Sequence, residues 1–185
     1  YEFLKPLVFS QHIKVQVYQK DLDSLLKDVQ NNRLDIILCD SPYSGRSKKL
    51  QGHRLEIDPI VCVAANRNGF KGKFPQSLMG KKILNYSESC MMADKIDDFL
   101  NDNKLDVQVV GEFTDSSLIR ITIENGGVAG FLPLSVAKQG LKSKSLIKLG
   151  ELEKLKFSLW AITRKDYKKD SLIGSLFKRY KKQAI

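Results

Sequence analysis

Carboxylates and hydroxyls recur in this sequence just beyond short runs that are apolar or alternate like strands. Asp21 follows residues 13–18, Asp40 and Ser41 follow 34–39, Ser87 and Ser89 follow 82–86, and Asp115 and Ser116 follow 107–113. Such side chains offer oxygen ligands to a hard cation, hydrogen bonds to a polar ligand, or a cap for the helix that comes next. Taken singly, each reads first as a capping or turn residue. Their recurrence after four runs is the reason to expect that some line a common cleft. If the runs are parallel strands, their carboxyl ends share one sheet edge, where helix N-termini also present free N–H groups.

Signatures of catalysis are missing. His12 and His53 are the only two histidines, without a metal partner at helical or hairpin spacing, and read as surface or packing residues. No Gly-rich phosphate loop, nucleophile elbow or HExxH pattern occurs. Gly126-Gly127, with Gly130 beyond, reads as a helix stop leading into a strand. Cys39, Cys62 and Cys90 fit neither a disulfide framework nor a zinc pattern. The first two lie in apolar runs and read as small core residues. Cys90 sits near a helix start, where a thiol is more readily activated, which makes redox sensing a minor reading. We therefore expect no enzyme, no cofactor and no metal centre.

The elements that position these groups follow from periodicity. Residues 2–10 read as a helix and 13–18 as an alternating strand. Asp21 caps a helix whose Leu22, Leu25, Leu26 and Val29 share one face, and the strand 34–39 comes directly after. Residues 55–66 give one long strand or a pair, broken at Pro59. Then come a strand at 82–86, a helix through Met92, Ile96, Phe99 and Leu100, a strand at 105–113, a helix at 114–125 and a strand ended by Pro133. A brief helix at 134–140, two strands in 145–150 and 156–164, and a helix near 170–182 complete the chain. Helix–strand alternation implies crossover connections and parallel sheets. The expected organisation is two α/β lobes, residues 1–64 with 135–185 and residues 65–134, joined by two crossover strands, with ligand bound between them.

With 185 residues, 42% of them hydrophobic and 28% charged, the chain has the composition of a globular protein. Its net charge of +10 is carried by residues 137–185, which hold 14 basic and 4 acidic side chains. That tail reads as a solvated helix face, since no nucleic-acid motif accompanies it. The sequence has neither an apolar run of spanning length nor the layout of a signal peptide, and its thiols suit a reducing compartment, so we expect a cytoplasmic protein without membrane contact. The absence of an initiator Met suggests a fragment or a processed form.

Three stretches, "NNRLDIILCD", "QSLMGKKILNY" and "VVGEFTDSSLIRITIENGGVAGFLP", resemble the effector-binding domain of LysR-type transcriptional regulators, and within that family its sodium-responsive branch. The resemblance covers essentially the whole chain. It implies a two-lobed, periplasmic-binding-protein-like fold, with an N-terminal winged helix-turn-helix and a first strand that are absent from this chain. It also implies a homodimer or tetramer, promoter DNA as the partner of the absent domain, and a small-molecule or ion effector in the interlobe cleft. On this reading Asp21, Asp40, Ser41, Ser87, Ser89, Asp115, Ser116 and Pro133 are the candidate ligand-binding residues. The position after strand 34–39 is often basic in family members that sense aromatic carboxylates. Here it is Asp40, which favours a cationic effector such as sodium, lithium or an amine. The competing reading is an extracytoplasmic solute-binding protein of a transporter, which shares the two-lobed fold.

Overall fold

Two strands far longer than the rest organise the chain: β2 (Leu50–Ala64) and β6 (Ile147–Arg164). The computed structural model describes residues 3–10, 12–45, 47–66, 69–88, 90–167 and 171–183. The first of these, β2, was expected as one long strand or a pair, broken at Pro59, and the second, β6, as two separate strands. Pro59 does not interrupt β2, because the ladder to its neighbour β5 (Ala129–Pro133) begins one residue later, at Ile60 opposite Pro133. The missing proline N–H therefore removes no bond from that ladder. In β6 the charged segment 151–155, read as a connection, belongs to the strand although its burial does not alternate strictly. Leu149, Leu152, Leu155 and Phe157 are covered while Glu151, Glu153, Lys154 and Lys156 face water.

The chain divides into two compact units, Tyr1–Ile57 with Ser158–Ile185, and Asp58–Phe157. Both long strands run from one unit into the other. The return expected at residue 135 thus comes at Ser158, because the helix after β5 and the first half of β6 pack with the second unit.

In the first unit, β1 (Ile37–Cys39) pairs antiparallel with the end of β6, Ile37 opposite Ile162 and Cys39 opposite Trp160. A parallel neighbour was expected here. The neighbour instead arrives from the far end of the chain, and its direction is set by that return. Helix α1 (Lys5–Val8) is shorter than read from the sequence. Helix α2 (Leu22–Gln30) starts at Asp21 as expected and buries Val29 against Ile37, Leu50 and Ile162. The C-terminal helix, α6 (Leu172–Gln183), buries Leu176 and Phe177, and the Phe177 ring centroid lies 5.4 Å from that of Phe3. Residues 13–18 form no strand. Their alternation survives only in the half-covered Ile13 and Val15, since a strand needs a partner to satisfy its N–H and C=O groups and none lies beside them among the described residues.

The second unit follows the expected series closely. β3 (Lys82–Tyr86) runs parallel to β4 (Gln108–Phe113) on one side and to β5 on the other, and β5 pairs antiparallel with β2. Helices α3 (Met91–Asp102), α4 (Ser116–Asn125) and α5 (Leu134–Ser143) complete it. Its core joins Val61, Val63, Ile83, Ile96, Ile119, Ile123, Phe131 and Leu132, each fully buried. Burying a side chain of this size contributes about 1.5–3 kcal/mol, so this cluster dominates the unit's stability. The ring of Pro133, the N-cap of α5, offers no hydrogen-bond acceptor. The buried carboxylate of Asp58 takes that role from β2, accepting the Ser135 N–H at 3.0 and 3.3 Å.

Candidate functional site

The carboxyl edge of the second unit's sheet gathers most of the polar groups expected there. β3 ends at Tyr86, whose ring is buried and whose hydroxyl lies 2.9 Å from Ser116 Oγ. Burial pushes the Tyr86 phenol up to about 12, against the opposing pull of the Ser116 hydrogen bond. The next residue, Ser87, donates its backbone N–H to the Phe113 carbonyl at the end of β4 (3.1 Å), which holds the two strand ends level. Asp115 follows Phe113 after Thr114. Its carboxylate accepts the Ser117 N–H at 2.6 Å and the Leu118 N–H at 3.2 Å, capping α4. The parallel register of β3 and β5 pairs Leu84 with Gly130, and carried onward it brings Pro133 level with Ser87. Ser87, Asp115, Ser116 and Pro133 therefore share one edge. Ser89 lies outside the described residues.

Two further residues belong to this edge. Cys90, half-buried, is the N-cap of α3 and donates its backbone N–H to the Ser87 carbonyl at 2.8 Å, while its side chain makes no cap. Tyr86 was not anticipated as a site residue, since an aromatic closing an apolar strand reads as core. Buried Asn85 fixes its approach by accepting the Tyr86 N–H at 2.9 Å and donating to Asp97.

In the first unit the candidates are Asp21, Asp40 and Ser41. Asp21 is exposed and caps α2 by accepting the Ser24 N–H at 2.8 Å, and that bond holds its carboxyl below the ordinary value. Asp40 stands exposed past β1 and accepts the Ser41 hydroxyl at 3.0 Å. Cys39 Sγ lies 3.2 Å from the Ser41 carbonyl, and burial raises its thiol. The acid that gathers cations here is Asp28, with Lys20 at 2.8 Å and Arg33 at 3.8 Å. Among the described residues Asp40 is in no ion pair, and no three His, Cys, Asp or Glu side chains converge as a metal centre needs.

Polar groups thus gather at the carboxyl ends of the parallel strands β3 and β4. The family described as LysR substrate binding domain matches residues 10–184. The chain belongs to that family. The transcriptional activator protein NhaR of Escherichia coli (strain K12) is 22% identical over 148 residues, covering 80% of this chain and 49% of NhaR. The chain thus spans about half the length of the curated relatives it matches. The regulatory domain of HypT from Salmonella typhimurium superposes with a TM-score of 0.74 at 17% identity, covering 100% of this chain and 91% of that one. Vibrio fischeri DarR, solved in complex with DNA, gives 0.72 at 14% identity over 98% of this chain and 61% of its own. The LysR substrate-binding domain therefore has the expected periplasmic-binding-protein-like α/β fold, and its named relatives are transcriptional regulators.

Proposed function

We propose that this LysR substrate-binding domain is the sensor of a bacterial transcriptional regulator. It binds a small effector at the carboxyl edges of its sheets and controls promoter binding by a helix-turn-helix carried elsewhere in the full protein. The match across residues 10–184 is the observation that carries this reading. The ligand-facing groups on this reading are Asp21, Asp40 and Ser41 in the first unit and, in the second, Ser87, Asp115 and Ser116 with Pro133 level with Ser87. Asp40 sets the sign of the effector: an exposed carboxylate, in no ion pair among the described residues, supports a cation such as sodium or lithium.

Thermal unfolding in sodium, lithium and potassium chloride at matched ionic strength tests the cation. A specific effector at 100 times its dissociation constant adds about 2.7 kcal/mol of stability. Sodium or lithium should therefore raise the melting temperature where potassium does not, and Asp40→Asn should abolish the difference. Equal curves for the three salts would remove the cation while leaving the sensor reading to a neutral effector.

The domain works in a homodimer or tetramer. Phe9 (71% exposed) and Val17 (77% exposed), with Val8 and Tyr18, are exposed apolar side chains of the N-terminal segment that a second copy would cover. Such a regulator acts in the cytoplasm, and among the described residues no helix is long and apolar enough to cross a membrane.

A further inference from the structure

We propose that the second unit carries a separate binding pocket for a small organic anion, at the amino edge of its parallel strands. A cavity of about 380 Å³ opens there, between the end of β2, the start of β3 and the turn before β5. That volume lies near the lower end of the range for small-molecule sites. The register explains the convergence. Ala64 and Ile83 both lie opposite Ala129, so residues 65–66, 81–82 and 126–128 come level with one another.

Among the described residues the lining has one sign of charge. Lys81 and Lys82 supply ammonium donors and Asn66 supplies an amide, and no carboxylate is among the described lining residues. The nearby acid of α4, Glu124, is engaged elsewhere, held by Arg120 at 2.8 Å and by the Ser145 hydroxyl at 2.8 Å. The turn that bears the lysines is fixed, since Gly80 donates its N–H to the Asp106 carbonyl and Lys81 donates its own to Leu78. At Gly127 and Gly80 a β-carbon would meet nothing within 4 Å, so the space beside the backbone is open. Buried Phe70 and half-covered Val128 give an apolar wall. Cationic donors beside an apolar wall suit a compact molecule bearing one phosphate or carboxylate.

This pocket is independent of the effector site. The four steps of β3 from Lys82 to Tyr86 put roughly 13 Å between the two sheet edges. A ligand here would act as a second input to the same domain.

The test is a titration of the isotope-labelled 185-residue chain with inorganic phosphate and with phenyl phosphate, against chloride at matched ionic strength, followed by amide resonances. The proposal expects saturable shifts at Gly69, Gly80 and Gly127, with phenyl phosphate binding more tightly. The double substitution Lys81→Gln, Lys82→Gln should weaken binding by roughly tenfold or more and leave the phosphate-free melting temperature unchanged. Saturable shifts confined to Ser87 and Ser116 would place the anion at the other edge and overturn the proposal. So would shifts that grow linearly without saturating, or an affinity that survives the double substitution. None of these outcomes bears on the cation response of Asp40.

Discussion

Tyr86 joins the core of the second unit to its polar edge, and its ionisation reports on both. Its folded-state value, about 12, lies above the ordinary value near 10 because phenolate is penalised by burial. The neutral phenol thus contributes stability that is fully present below pH 10 and is lost as pH rises through about 12. An ultraviolet titration of tyrosinate should show one late-ionising component, missing in Tyr86→Phe. Asp115 allows a separation of cap from charge. Asp115→Ala should cost about 1 kcal/mol in a denaturant titration through loss of the α4 cap, whereas Asp115→Asn should cost little and still remove the charge from the edge. The Asp21 cap of α2 was legible, because an aspartate before an amphipathic run has one common use. The pairing of Asp28 with Lys20 and Arg33 was not, since it depends on how the chain doubles back around α2.

Elements were legible wherever their apolar spacing could be satisfied by a neighbour close in sequence. The series from β3 to β5 is the clearest case, with strands and helices each near their expected bounds. Residues 13–18 show the converse, as alternation alone did not supply a partner. The merging of two expected strands into β6 has a packing reason at Gly150, where a charged, glycine-containing segment reads as a turn. The Phe74 ring lies against Gly150 and stacks on Phe99 at 5.8 Å, and Phe99 in turn meets Phe131 edge-on. A β-carbon at Gly150 would fall inside the Phe74 ring contact. Gly150→Ala should therefore cost about 1–3 kcal/mol, with the loss visible as altered near-ultraviolet circular dichroism of the displaced ring stack. Retained stability would mean that Phe74 has another well-packed position.

At the scale of the whole molecule, each unit keeps its own core. One cluster lies wholly within Asp58–Phe157, and the two others draw on the first unit alone. A fragment of residues 58–157 should unfold cooperatively in urea, while residues 1–57 by themselves should show no transition, having lost the partner of β1. The sequence suggested two lobes but put the return at residue 135, because the actual point depends on α5 joining β5 and α4 rather than on any local signal. The interleaving of the units also orders events on the ribosome. The second unit is contiguous and can close as soon as residue 157 is free of the exit tunnel. The first is split around it, and β1 must wait for Trp160–Ile162 before it has a neighbour. At the usual pace of translation, about 5–20 residues per second, that leaves Ile37–Cys39 unpaired for roughly 6–25 s. During that interval the nascent first unit is the part of the chain most in need of a chaperone.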